Sequence, residues 1–202
     1  DKDVVTRYSD GKTNIVFVGR IVPNKKFEDV IACFAAYKEK YDPTARLFLV
    51  GNYQETDTYY QYLQEYIKKC GVKDVIFPGH IAFNAILAYY KIADLFLCMS
   101  EHEGFCVPLV EAMYFNLPIL AYDSSAISDT LGGSGILLPT NDPMEAALAA
   151  DRVLRDSELR REVIAEQHRR QQEFAYPEIR KVFEGQLQHF IDTVPPVSKK
   201  RK

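Results

Sequence analysis

Six short apolar runs, rich in β-branched and aromatic residues, alternate with stretches of helical periodicity along the first two thirds of this chain. A short apolar run followed by an amphipathic helix is typical of a βαβ unit, in which helices cover both faces of a parallel sheet. The alternation therefore predicts an α/β fold with a doubly wound parallel sheet of about six strands. The predicted strands are residues 14–18, 45–50, 75–77, 94–99, 117–121 and 135–138.

The last third of the sequence is predicted to be helical. No strand-like run follows Pro139, and Asn141 is the predicted N-cap of a further helix. Two more helices are expected to begin at Ser157 and Pro177 and to end near Val194. The complete prediction is a Rossmann-like sheet with a helical C-terminal extension. The helices predicted between the strands are residues 27–40, 57–70, 83–92 and 107–115.

Three segments are expected from this pattern. Residues 1–13 are interpreted as a lead-in or linker, and residues 14–194 as one Rossmann-like domain whose helical part is 141–194. Residues 195–202 are polar, basic and begin with two prolines, which predicts a flexible tail.

Charge and hydropathy exclude several classes of protein. The 25 Lys and Arg residues are outnumbered by 28 Asp and Glu, and the net charge of −3 disfavours nucleic acid as a partner. No window approaches the roughly 18 apolar residues of a membrane span, and the first residues do not resemble a signal peptide. The four dispersed cysteines lack a C-x-x-C pair and predict reduced thiols. We therefore expect a cytoplasmic protein, with the inner face of the membrane as the alternative location.

Two common nucleotide motifs are absent. No G-x-G-x-x-G follows a predicted strand, because Gly133-Ser134-Gly135 precedes one, and the chain has no G-x-x-x-x-G-K-[ST]. An NAD-type oxidoreductase domain is thereby disfavoured.

The loop after the first predicted strand is basic. It contains Gly19, Arg20, Lys25 and Lys26. In a doubly wound sheet ligands bind beyond the carboxyl ends of the strands, where a guanidinium and an ammonium group suit a diphosphate. The alternative interpretation is that these cations are ordinary solvated surface charges.

The loop after residues 94–99 is acidic and precedes a helix. Free N–H groups at the helix start would attract an anion, and Gly104 would let the backbone approach it closely. Glu101 and Glu103 have an alternative explanation as favourable charges at the helix dipole. That explanation does not fit Glu111, which lies a turn inside the helix and could accept hydrogen bonds from a polyol.

The histidines and the metal-ligand types carry less information. His80 follows the third predicted strand and could line a ligand cleft, although a solvated loop histidine is the alternative. No spacing of His, Cys or Asp matches a metal site.

Five ordered segments resemble one known family, the retaining GT-B glycosyltransferases of family 4 type (glycosyl transferases group 1), in their C-terminal, donor-binding half. The strongest match is the E-x7-E motif formed by Glu103 and Glu111. The matching segments are residues 17–25, 47–51, 93–97, 100–113 and 117–121.

The resemblance implies roles for individual residues. Arg20 and Lys25 would bind the donor diphosphate and stabilise the leaving group, Glu103 would contact the donor sugar, and Glu111 would bind the ribose. Arg20, Lys25 and Glu103 would be catalytic, with a UDP-sugar or GDP-sugar as donor and with no metal or other cofactor. The complete expected donor-binding set is Gly19, Arg20, Lys25, His80, Ile81, Glu103, Gly104, Phe105, Cys106, Val107 and Glu111.

Four departures from the family pattern replace glycine. Lys26, Cys106 and Asn116 stand where the family often has glycine, and Ser124-Ser125 stands in place of a Gly-Gly pair. We expect these changes to alter the sugar pocket while the four charged residues remain in place.

The resemblance covers only half of a GT-B enzyme. The acceptor-binding N-terminal domain is expected to be a missing partner, so that this chain binds the donor but is inactive alone. Peripheral membrane contact would come through the full-length enzyme. The alternative from another class is a non-catalytic interaction module of the same fold, which would be expected to have lost one of the charged residues.

Overall fold

The computed structural model describes residues 2–79 and 81–193. All six strands lie in one parallel sheet with the order β3-β2-β1-β4-β5-β6. The predicted doubly wound α/β sheet is therefore confirmed. His80, the expected helix end at Val194 and the predicted tail 195–202 lie outside the described residues. The strands are β1 (Asn14–Val18), β2 (Arg46–Val50), β3 (Val75–Ile76), β4 (Leu95–Cys98), β5 (Ile119–Tyr122) and β6 (Ile136–Leu138).

The strand order reverses between β1 and β4. From β1 the chain moves outward to β2 and β3, then returns to β4 on the other side of β1 and moves outward again to β6. β1 pairs with β2 from Asn14↔Arg46 to Val18↔Val50 and with β4 through Ile15↔Leu95. Such a reversal opens a crevice at the carboxyl ends of the two central strands, which is where doubly wound sheets bind ligands.

Helices cover both faces of the sheet, as the pattern predicts. α2 contacts α3 and α7, whereas α4 contacts β1, β2 and α1, and α5 contacts α8. The helices are α1 (Lys2–Tyr8), α2 (Phe27–Lys40), α3 (Thr58–Cys70), α4 (Phe83–Ile92), α5 (Val107–Tyr114), α6 (Ile127–Leu131), α7 (Pro143–Arg155), α8 (Ser157–Glu173) and α9 (Tyr176–Thr193).

Aromatic side chains pack on both faces of the central strands. Phe17 of β1 contacts Phe27 of α2 with ring centroids 4.9 Å apart, and it also contacts Phe96 of β4. Phe48 of β2 packs against Tyr89 of α4 with ring centroids 5.3 Å apart. Because β1, β2 and β4 are buried along their whole length, they hold the loops at their carboxyl ends in fixed positions.

Two helices were not predicted. α1 lies in the segment interpreted as a lead-in, where Tyr8 packs against Phe48 with ring centroids 4.8 Å apart and Arg46 donates hydrogen bonds to Asp10 and to the Tyr8 carbonyl. α6 has five residues. Both are too short to show a hydrophobic period in sequence, and α1 is held by tertiary contacts.

The start of α7 differs from the prediction by one residue. Asp142, and not Asn141, is the N-cap, because its carboxylate accepts hydrogen bonds from the N–H groups of Met144 and Glu145. A carboxylate at this position also interacts favourably with the helix dipole. α8 begins at Ser157 as predicted, and Asp156 caps it.

In the described part of the chain, none of the helices combines the length and apolar character needed to cross a bilayer.

Candidate functional site

Two loops meet at the carboxyl ends of β1 and β4. The N–H of Glu101 donates to the carbonyl of Asn24 over 3.0 Å, and Nδ2 of Asn24 donates to the carbonyl of His102 over 3.1 Å. Lys26 and Glu101 add an ion pair of 3.2 Å. The basic loop and the acidic loop therefore form one surface at the point where the strand order reverses.

Lys25 and Glu103 form the central contact of this surface. Nζ of Lys25 lies 2.5 Å from Oε2 of Glu103. Glu103 is a buried carboxylate, exposed by only 8%, and its N–H donates to Oγ of Ser125 over 2.8 Å. A buried carboxylate needs a cation or hydrogen-bond donors as partners, and here Lys25 supplies the charge.

Arg20 belongs to the same loop as Lys25, but it has no ion-pair partner among the described residues. Its side chain is exposed, and its guanidinium makes no ion pair or hydrogen bond with residues 2–79 and 81–193. The backbone before it is fixed, since the N–H of Gly19 donates to the carbonyl of Val50 over 2.9 Å. Arg20 therefore presents a free forked donor at the carboxyl end of β1.

The start of α5 presents unpaired backbone donors. Cys106 is the N-cap, and none of the N–H groups of residues 104–107 donates to another group in the described ranges. A Cβ added at Gly104 would meet nothing within 4 Å. The structure thus places open space and a set of N–H donors at a positive helix end, which is an arrangement that binds anions.

Glu111 is held by a tyrosine that sequence reasoning did not single out. The hydroxyl of Tyr90 donates to Oε2 of Glu111 over 2.7 Å. Tyr90 is fully buried and stacks on Phe115 with ring centroids 5.3 Å apart. Burial and the bond to Glu111 raise the pKa of Tyr90, so the phenol stays protonated and remains the donor. Oε1 of Glu111 accepts no hydrogen bond from the described residues.

The sequence matches the profile of the family described as "Glycosyl transferases group 1" over residues 2–170. The chain belongs to this family. The resemblance that the ordered motifs indicated is thereby confirmed, as is the GT-B type of fold.

Curated relatives carry glycosyltransferase and synthase names. The chain is 32% identical over 114 residues to mannosylfructose-phosphate synthase of Agrobacterium fabrum, which covers 54% of this chain and 25% of that protein. It is 31% identical over 143 residues to the GDP-mannose-dependent alpha-mannosyltransferase of Mycolicibacterium smegmatis, covering 70% of this chain and 34% of the relative. The chain therefore spans about a quarter to a third of the length of these relatives.

Solved structures show the same fold. The C-terminal domain of the glycosyl transferase group 1 protein LpcC from Francisella tularensis is 25% identical with a TM-score of 0.70, over 84% of this chain and 91% of that one. Anabaena Alr3699/HepE in complex with UDP and glucose has a TM-score of 0.79 at 20% identity, over 93% of this chain and 52% of that one.

Four of the five residues that stand at glycine positions of the family pattern have a left-handed backbone. Lys26, Cys106, Asn116 and Ser125 all have positive φ, at 49°, 63°, 56° and 45°. Non-glycine residues rarely adopt this left-handed region because their Cβ crowds the backbone. At these four positions the chain therefore adopts left-handed turns without a glycine.

Three aromatic side chains pack against one another beside the segment that follows β3. The rings of Tyr53 and Tyr60 stack at 4.0 Å between centroids, and both lie against the edge of Phe77. Ile81 of the expected set is half-buried here, and a Cβ at Gly79 would lie 3.9 Å from the Tyr53 hydroxyl. The structure does not describe His80.

Two buried thiols adjoin Glu103. Cys98 ends β4 and is fully buried, and Cys106 is exposed by 6%. The hydrogen bond between the thiols, followed by burial, raises the pKa of Cys106. The ligand atoms of Cys98, Cys106 and Glu103 all lie within 4.8 Å of one another.

Sequence reasoning missed three residues that build the site. Asn24 joins the two loops, Ser125 holds the Glu103 backbone, and Tyr90 positions Glu111. Asn24 lies inside a matched motif and could have been suspected from it. Tyr90 and Ser125 reach the site only through the tertiary fold, so no local pattern marks them.

Proposed function

We propose that this chain is the donor-binding domain of a retaining hexosyltransferase that moves a sugar from a nucleoside-diphosphate sugar to a glycan or a lipid-linked acceptor. The observation that carries this proposal is the Lys25–Glu103 pair beside the unpaired N–H groups of residues 104–107. Cations and N–H donors for a diphosphate, and a carboxylate for a sugar, meet at one point of the sheet.

The positive groups suit a leaving diphosphate. When the bond between the anomeric carbon and the phosphate oxygen breaks, its electron pair stays with the diphosphate, and negative charge develops there. Arg20, Lys25 and the N-terminus of α5 would stabilise that charge. With these groups in place, we propose that transfer needs no metal ion or other cofactor.

The two carboxylates would bind the neutral parts of the donor. Glu103 can accept hydrogen bonds from sugar hydroxyls while Lys25 holds its orientation. Glu111, fixed through Oε2 by Tyr90, has Oε1 available for the ribose hydroxyls. Residues around Gly79 and Ile81 would flank the base.

The donor is proposed to be a UDP-sugar or a GDP-sugar. The mannosyltransferase of M. smegmatis is named as GDP-mannose-dependent, and the Anabaena protein was solved with UDP and glucose. Both nucleotides carry the same diphosphate and ribose, which are the groups that the charged residues of this chain would bind.

The last described helix supports a missing acceptor domain as partner. Seven large apolar side chains of α9 are exposed, although a soluble helix usually buries such a stripe. We propose that the rest of a longer enzyme covers this stripe and supplies the acceptor, so that the chain alone is inactive. Membrane contact would come through that longer enzyme. The stripe comprises Tyr176, Ile179, Val182, Phe183, Leu187, Phe190 and Ile191.

Calorimetric titration of the chain with UDP, GDP, ADP and NADH tests the proposal. One nucleoside diphosphate should bind more tightly than NADH, and Arg20→Ala should weaken it by about 10- to 100-fold, the scale of a charge-assisted hydrogen bond. Arg161, on the exposed face of α8, provides the control, and Arg161→Ala should leave the affinity unchanged. Equal affinities for both variants would contradict the role of Arg20, and preferential NADH binding would favour an oxidoreductase domain.

A further inference from the structure

Two thiols and one carboxylate, all possible metal ligands, lie close together in the segment that joins β4 to α5. Cys98 at the end of β4 and Cys106 at the N-cap of α5 bring two sulfur atoms together, and Glu103 adds a carboxylate oxygen. These three ligand atoms lie within 4.8 Å of one another. All three residues are buried, with exposures of 0%, 6% and 8% for Cys98, Cys106 and Glu103.

This spacing approaches that of a tetrahedral metal site. Zinc bonds of roughly 2.3 Å to sulfur and 2.0–2.2 Å to oxygen place neighbouring ligand atoms about 3.5–3.8 Å apart. The separations between ligand atoms would shorten by at most about 1.3 Å to reach that geometry. Three protein ligands leave a fourth position for water, a composition known from zinc sites.

The local charge also suits a divalent cation. Two thiolates and one carboxylate carry three negative charges, while Lys25 already contributes one positive charge at 2.5 Å from Oε2 of Glu103. A divalent ion would make the group neutral, which favours its burial. Thiolate ligands select Zn²⁺ and similar thiophilic ions over Mg²⁺ and Ca²⁺.

We infer that Cys98, Cys106 and Glu103 form a binding site for one thiophilic divalent cation of the Zn²⁺ class. The ion binds as both thiols release their protons, and the carboxylate bridges it to Lys25. The cation site shares Glu103 with the proposed donor site, but its assignment depends only on these three side chains and on no nucleotide. Cation binding can therefore be tested without any nucleotide.

Titration of the reduced chain with Cd²⁺ tests the site, because Cd²⁺ bound to thiolates gives a sulfur-to-metal charge-transfer absorption. One ion should bind per chain, and Cys106→Gly should weaken binding by at least about 100-fold, more than the loss of an outer-shell partner. Cys33→Ala is the matched control, since Cys33 is also buried but lies in α2. The exposed Cys70 provides a second control, Cys70→Ala. Absence of the absorption, equal affinity in Cys106→Gly, or a loss in either control would overturn the site.

Cys106→Gly keeps the positive φ that the backbone needs at this position, so the variant is expected to fold. A measurement on the unaltered chain is independent of any variant. X-ray absorption of the Zn²⁺-loaded protein should find two sulfur neighbours and lighter ligands around the metal. One sulfur neighbour or none would contradict the inference.

Discussion

Nζ of Lys25 lies 2.5 Å from Oε2 of Glu103, although the two residues follow different strands of the sheet. Lys25 ends a 3-10 turn after β1, and Glu103 lies in the loop after β4. The contact therefore crosses the point where the strand order reverses. It holds a cation and a carboxylate at the crevice where this fold class binds its ligands.

Breaking this pair should cost stability as well as affinity. Lys25→Met leaves the Glu103 carboxylate buried without its cation, and we expect a loss of about 1–3 kcal/mol in the free energy of unfolding. The double variant with Glu103→Gln should lose less than the sum of the single variants, because a neutral amide does not need the ammonium group. Urea denaturation of the four proteins measures the coupling. Additive losses would show that the two side chains do not interact in solution.

Substitution of glycine by alanine should affect stability differently at Gly51 and at Gly104. A Cβ at Gly51 would lie 1.9 Å from the carbonyl oxygen of Gly19, so Gly51→Ala should destabilise the fold by more than about 2 kcal/mol. Gly104 has open space around it, so Gly104→Ala should change stability by less than about 0.5 kcal/mol.

If the space at Gly104 is where the donor approaches the backbone, Gly104→Ala should still lower nucleoside-diphosphate affinity by roughly tenfold. Thermal unfolding and calorimetric titration of the same preparations separate the two effects. Unchanged affinity in a stable Gly104→Ala protein would remove this glycine from the site.

Restoring a glycine at a strained turn should stabilise the chain. Lys26 has a φ of 49°, and its ion pair with Glu101 is largely exposed, so Lys26→Gly relieves strain and gives up little. We expect a gain of about 0.5–1 kcal/mol in denaturant unfolding. Glu65→Gly, in the exposed middle of α3, is a control in which glycine relieves no strain. It should lower the free energy of unfolding by about 1 kcal/mol. Similar losses in both variants would rule out strain at Lys26.

Removing the hydroxyl of Tyr90 should weaken the binding of ligands that contain ribose and should leave the binding of diphosphate alone unchanged. Tyr90→Phe removes the donor that fixes Glu111, and the affinity for a nucleoside diphosphate should fall by roughly three- to tenfold, about 1 kcal/mol. Binding of inorganic diphosphate, which has no ribose, should be unchanged. Competition titrations with both ligands distinguish these effects, and an equal loss for the two would contradict the role given to Glu111.

Much of the architecture follows from local sequence. The central strands β1, β2 and β4 have short apolar runs that are buried along their whole length, and the edge strands β3 and β6 are half-buried but equally apolar. The pattern therefore identifies the strands with small shifts at their ends; β5, for example, covers Ile119–Tyr122 instead of residues 117–121. Helix starts depend on single side-chain hydrogen bonds. Asn141 and Asp142 both suit an N-cap, and only the structure shows that Asp142 accepts the bonds from the first turn of α7.

Some residues of the candidate site can also be identified from local sequence, and others cannot. Lys25, Glu103 and Glu111 lie in motifs with fixed spacing, and the sequence could therefore indicate them. Tyr90 and Ser125 contact those residues only after β4, β5 and their helices have packed, and that information is not local. The cluster of Cys98, Cys106 and Glu103 was likewise missed by spacing rules, because its members converge through a strand end and a left-handed N-cap.

A crystal structure of the chain with its preferred nucleoside diphosphate bound would test the central claim most directly. The diphosphate should lie within hydrogen-bond distance of Nζ of Lys25, the Arg20 guanidinium and the N–H groups of residues 104–107, with the ribose on Glu111. A diphosphate bound elsewhere on the molecule, with Lys25 and residues 104–107 in contact only with solvent, would contradict the account.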